Sequence, residues 1–128
     1  MSTQVGGVAA LARGDVFDSN CPTRSVLDHV TSKWAVLVLV ALRREPLRFS
    51  ALRRAIGGVS EKMLAQTLRT LESDGFLDRE VAPTTPPQVT YSLTDLGTGI
   101  TEHLTGLLEW IDVRIPDVQA SRAARSGR

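Results

Sequence analysis

The stretch "RFSALRRAIGGVSEKMLAQTLRTLESDGFLDRE", residues 48–80, carries two helical patterns joined by a glycine pair. In the first, "FSALRRAI", Phe49, Leu52 and Ile56 recur at helical spacing and are expected to face inward. The second opens on Ser60, whose short hydroxyl side chain suits an N-cap, and repeats leucine at positions 64, 68 and 71 until Gly75 closes it. "GGV" supplies the turn between them. Beyond the second helix, "FLDREVA" and "QVTYSL" alternate apolar and polar residues on either side of "PTTPP", so a hairpin with a proline-stiffened tip is predicted.

Helix, glycine turn, helix and hairpin, in that order, make a winged helix-turn-helix, in which the second helix enters the major groove of DNA. The expected fold class is mainly α with a small β-hairpin wing, an α+β arrangement. At about 100° per residue the leucines set one face of the second helix, and Lys62, Gln66, Arg69 and Ser73 fall within about 60° of one another on the opposite side. Cations on that outer stripe can donate to guanine O6 and N7, and the amide of Gln66 can pair with adenine. Lys62, Gln66 and Arg69 are thus the expected reading residues, with Arg53 and Ser60 seating the motif on the phosphate backbone. The ordinary alternative is a solvated helix face, because Lys, Gln and Arg are common on surfaces. Charge distribution weighs against it: residues 43–69 hold seven basic residues and two acidic ones, a net +5, which leaves −4 for the rest of a chain whose total is +1. Positive potential is concentrated on the motif.

Upstream, "CPTRSVLDHVTS" is expected to be helical, with Pro22 in the first turn and Cys21 at its cap. "KWAVLVLVALRR" is apolar nearly all round, which predicts a buried helix ended by Pro46. Downstream, Thr94 caps a long last helix with Ile100, Leu104, Leu107, Leu108 and Ile111 on one stripe and Trp110 beside it. That is more apolar surface than one small domain needs. Leu104, Leu107, Leu108, Trp110 and Ile111 are therefore expected at the two-fold interface of a homodimer. Residues 1–20 read as an arm or marginal helix that joins the dimer, 21–93 as the DNA-binding core, 94–120 as the dimerisation helix and 121–128, "SRAARSGR", as a disordered tail.

A chain of 128 residues with 42% apolar content suits one compact domain. Its single cysteine, Cys21, excludes a disulfide framework within the chain and offers no CxxC pair for zinc, which fits a reducing cytoplasm. The longest apolar run, "WAVLVLVAL" at residues 34–42, is too short to span a bilayer, and the first residues lack the basic start and apolar stretch of a signal peptide. A cytoplasmic location away from membranes is expected. Catalysis is poorly provided for: Cys21 and His29 are separated by about 12 Å of helical rise, too far for a nucleophile and its base. Two histidines and one cysteine match no metal-ligand spacing, and "GG" at Gly57 lacks the strand and lysine of a phosphate-binding loop. No enzyme activity, metal or cofactor is expected. The alternatives kept open are a winged helix that binds only protein and a regulator that responds to a ligand without using its cysteine.

"CP" followed by "KW", then "RFSAL", "VSEKMLAQTLRTLESDGFLDR" and "PPQVTYSLTDLG", resembles the HxlR-type regulators, a branch related to the MarR winged-helix repressors; the likeness runs over residues 21–110. The resemblance implies a bacterial transcription factor that binds a palindromic double-stranded DNA operator as a homodimer, with the N- and C-terminal helices forming the interface. It departs from the family pattern at Ser32, where glycine is usual, at Thr90, where an acidic residue is usual, and at Gln88, where a basic wing residue is frequent. Gln88 is thus expected to make a weaker phosphate contact. The resemblance also implies, in some members, a cysteine at the position of Cys21 that senses an oxidant or a small electrophile. A thiol next to unpaired N–H groups and the positive end of a helix dipole would favour the reactive thiolate, with Arg24 adding to that field. A lone cysteine is more often a small buried hydrophobe, so both readings stand at this point.

Overall fold

A computed structural model describes residues 15–127. Of the expected N-terminal arm, residues 1–14 therefore lie outside the described residues, and Asp15–Phe17 form a short 3-10 turn. Five α-helices and three strands follow: α1 Pro22–Val30, α2 Lys33–Ala41, β1 Leu47–Arg48, α3 Phe49–Ala55, α4 Glu61–Ser73, β2 Leu77–Ala82, β3 Gln88–Leu93 and α5 Asp95–Ser126. This is the winged helix-turn-helix expected from the order of patterns, with one addition. The two-residue β1 pairs antiparallel with β3, Leu47 opposite Tyr91 and Arg48 opposite Thr90, so the sheet has three strands in the order β1-β3-β2.

The valine-rich run is helix, as its length and all-round apolarity indicated. Ser32 caps α2 by accepting a hydrogen bond from the Ala35 N–H at 3.2 Å, and Ala35, Val38 and Leu39 are buried. Pro46 does not end it. The helix stops at Ala41, where the Leu42 N–H closes on the Val38 carbonyl, and Pro46 lies ahead of β1 instead. A proline there holds φ near its extended-compatible value and removes a donor, which suits entry into a short edge strand.

Two glycines set the ends of the central motif. Gly58, at φ +86°, turns the chain after α3, and Ser60 then caps α4 through its Oγ and the Met63 N–H at 3.1 Å. Gly75, at φ +87°, ends α4: its N–H bonds the Glu72 carbonyl at 3.0 Å and the Phe76 N–H bonds the Leu71 carbonyl at 2.9 Å. This pair of bonds is a Schellman motif, which needs the left-handed conformation that glycine adopts without steric cost. It delivers Phe76 and Leu77, both buried, directly into the sheet.

Leu39 and Val38 of α2, Leu52 of α3, Leu64, Leu68 and Leu71 of α4 and Leu77 of β2 are the innermost side chains. Onto them packs the first third of α5. Thr94 caps this helix, accepting from the Gly97 N–H at 3.0 Å while its own hydroxyl donates to the Gly75 carbonyl at 2.6 Å. Gly97 passes so close to the start of β2 that a Cβ there would stand 2.1 Å from the Phe76 carbonyl oxygen. The helix then runs on for 32 residues, about 48 Å. Nothing beyond Thr105 on it is fully buried within the chain. Residues 121–126 continue it, where a disordered tail was expected from composition; alanine and arginine are strong helix formers, and no glycine intervenes before Gly127. Among the described residues no helix is long and apolar enough to cross a membrane.

Candidate nucleic-acid interface

Helix α4 is held by Leu64, Thr67, Leu68 and Leu71, all buried. The Thr67 hydroxyl escapes an orphaned state by donating to the Met63 carbonyl at 2.8 Å. Lys62, Gln66, Arg69 and Ser73 are all exposed on the other side, so the four residues grouped by helical projection do share one outward stripe. Among the described residues neither Lys62 nor Arg69 is tied into an ion pair.

The two residues expected to seat the motif are both partly engaged within the chain. The Ser60 Oγ is occupied as the α4 cap. Arg53 of α3 donates from Nη1 to the Glu61 carboxylate at 3.1 Å, an exposed pair across the glycine turn. Such a pair contributes little stability in water but holds the guanidinium beside the N-terminus of α4. Phe49, Ser50 and Arg54 complete an open hollow with them.

The wing differs from expectation in where its charge lies. Its tip, residues 83–87, has no ionisable side chain, and Gln88, opposite Ala82 at the first pair of the hairpin, is exposed and uncharged. Arg79 is the cation that the sequence reading passed over. Because Arg79 stands opposite Tyr91, it shares the face of the sheet that turns toward α4. With Arg69, Ala65, Glu72 and Tyr91 it lines a hollow of about 370 Å³ between the second helix and the wing. The signal was available: period-two alternation puts residue 79 on the same side as the buried Leu77.

A polar link joins α4 to the first helix. His29 Nδ1 and Asp74 Oδ2 are 2.6 Å apart, partly buried, one at the end of α1 and the other at the C-cap of α4. His29 is thus engaged with a carboxylate. Cys21 does cap α1, with Pro22 in the first turn, but its side chain makes no capping hydrogen bond and is half-buried. The Arg24 guanidinium donates to the Phe17 carbonyl at 2.7 Å, which ties the preceding turn to α1.

Of the five residues assigned to a dimer interface, Leu104 is corrected: at 5% exposure it belongs to the chain's own core, because α5 still lies against α2 at that point. Leu107 is 50% exposed, Trp110 61% exposed, Ile111 exposed and Leu108 half-buried. Val113, at 75%, and Ile115 extend this apolar surface beyond the stripe read from sequence.

With this geometry in place, comparison with known proteins decides the family. The HxlR-like helix-turn-helix model matches residues 29–119. The chain belongs to the HxlR-like helix-turn-helix family. The uncharacterized HTH-type transcriptional regulator YtfH of Escherichia coli (strain K12) is 53% identical over 124 residues, 97% of this chain and 98% of the relative. The solved structure of ytfH from Salmonella typhimurium superposes with a TM-score of 0.81 at 55% identity, covering 84% of this chain and 96% of that one. The redox regulator HypR in its oxidized form superposes with a TM-score of 0.67 at 33% identity, covering 73% and 96%. As an HxlR-type protein the chain is a DNA-binding transcriptional regulator, and α4 is the second helix of its helix-turn-helix motif.

Proposed function

We propose that this regulator works as a homodimer on a palindromic operator, with Lys62, Gln66 and Arg69 at base edges or the phosphates beside them. Arg53 and Ser60 seat the motif on the backbone, Arg79 supplies the wing's phosphate contact, and Gln88 adds an uncharged one. The observation that carries the reading is the outer stripe of α4, exposed opposite its leucine anchor and flanked by cations of α3 and β2. Two such helices would address half-sites about one turn, ~10 bp, or a multiple of it apart. Titrating salt against binding to a generic duplex tests the DNA reading. Affinity should fall steeply, with a log–log slope of about −0.9 for each phosphate neutralised; a protein-only adaptor has no such affinity to lose.

The dimer rests on the uncovered half of α5. Leu107, Trp110, Ile111, Val113 and Ile115 leave an apolar surface in water on a helix that outruns its own core, and an isologous pairing covers it. Leu107→Asp should therefore convert the protein to a monomer in sedimentation at low micromolar concentration while leaving the core helicity intact. A variant that still sediments as the dimer would remove this surface from the interface.

Cys21 acts in this reading as a redox-responsive thiol, supported by its position at the start of α1 and by the likeness to the redox regulator HypR. Treatment with diamide would join one Cys21 from each protomer: two thiols lose two protons and two electrons, and the N=N bond of diamide takes them up to become the hydrazine. Operator affinity of the treated parent should shift while that of Cys21→Ser does not. Equal binding before and after treatment would make Cys21 a packing residue.

A further inference from the structure

The proposed recognition helix, α4, is fixed in depth by apolar contacts, and side chains of two other elements reach its ends: Arg53 meets Glu61 at the first turn in an exposed pair, and His29 meets Asp74 at the C-cap in a partly buried one. The leucine stripe of α4 anchors it to the core, but apolar burial has no preferred direction and permits small rolls about the helix axis. A hydrogen bond is directional, and one to a carboxylate is among the stronger kinds. The 2.6 Å contact from the His29 Nδ1–H to Asp74 Oδ2 is of that kind, and it reaches α4 at its C-cap from a different element.

The surroundings of His29 make the link matter for reading. On one side the imidazole lines a hollow of about 210 Å³ with Gln66, Met63, Thr67 and Thr70; on the other it lines a hollow with Arg69, Ser73 and Asp74. It therefore borders two hollows, one shared with Gln66 and the other with Arg69. With a helix radius of about 5–6 Å including side chains, a roll of ~10° would carry their tips by about 1 Å, enough to misalign a bidentate base contact. Helix α1, which supplies His29, also presents Val26 and Leu27 to solvent and, with Pro22, Val30 and Ile100, forms an open apolar groove on its other side.

We propose that the His29–Asp74 bridge is a positioning device that sets the roll of the recognition helix against α1, so that operator discrimination depends on a pair that need not touch DNA. The inference rests on the DNA-reading assignment above. The test uses the full chain, a duplex selected by the parent from a randomised library and an unrelated duplex of equal length. His29→Ala and Asp74→Ala should each lower affinity for the selected duplex about tenfold and leave the unrelated duplex unchanged. The double variant should be no worse than either single, the signature of one shared interaction. His29→Gln, which keeps an N–H donor, should recover part of the loss. In protein free of DNA, amide exchange over residues 69–75 should quicken in His29→Ala. Retention of the selected-to-unrelated ratio by both alanine variants, or an equal loss on both duplexes, would overturn the proposal; should one fail to fold, the other and His29→Gln decide it. If the parent selects no duplex, the DNA reading falls, and unchanged exchange over residues 69–75 would then sink the bridge as well.

Discussion

Alanine at Gln66 or at Arg69 is expected to weaken operator binding by about 1–3 kcal/mol each, a loss on the order of ten- to a hundredfold, and to relax preference at one base position per half-site. Both side chains are exposed on the face of α4 opposite its buried leucines, so truncation removes contacts to DNA without opening the core. A phosphate partner should behave otherwise. Arg53→Ala should weaken all sequences alike and flatten the salt slope by roughly one, and because it also frees Glu61 it leaves an unneutralised carboxylate at the DNA-facing side. Quantitative binding to the operator and to single-base variants separates the two kinds. If Gln66→Ala and Arg69→Ala both bind like the parent, the outer stripe of α4 is not the reading face.

Gly97→Ala should be among the most destabilising single substitutions, at about 3 kcal/mol and a fall in the melting midpoint on the order of 10 °C. The new Cβ would meet the Phe76 carbonyl oxygen at 2.1 Å and Leu93 Cδ2 at 3.3 Å. The oxygen cannot yield cheaply. It belongs to backbone locked by the Schellman turn at Gly75 and accepts the Thr94 N–H at 3.1 Å, so α5 would have to lift away from the junction of α4 with the sheet. Gly99→Ala, two residues along the same helix with nothing within 4 Å of its added Cβ, should instead stabilise by about 0.5–1 kcal/mol through helix propensity. Equal melting of the Gly97→Ala chain and the parent would contradict the close approach.

Local pattern determined the elements of this protein. Leucines at 64, 68 and 71 with a serine ahead and a glycine behind specify α4, its cap, its end and, by projection alone, the outward stripe of Lys62, Gln66, Arg69 and Ser73. Period-two alternation specified β2 and β3. Each of these signals is carried by the residues of one element, because helix and strand periods are properties of the chain's own geometry. Tertiary structure decided the rest. A two-residue strand has no period, so β1 exists only because Leu47 finds Tyr91. The helical stripe of α5 reads alike from Ile100 to Ile111, yet Leu104 is core and Leu107 is not, since only the packing of α2 marks where the domain ends. Arg79 acquires its place beside Arg69, and His29 its carboxylate at Asp74, through contacts 10 and 45 residues apart in sequence. Periodicity within an element cannot encode such pairings, because they depend on how separate elements close against each other.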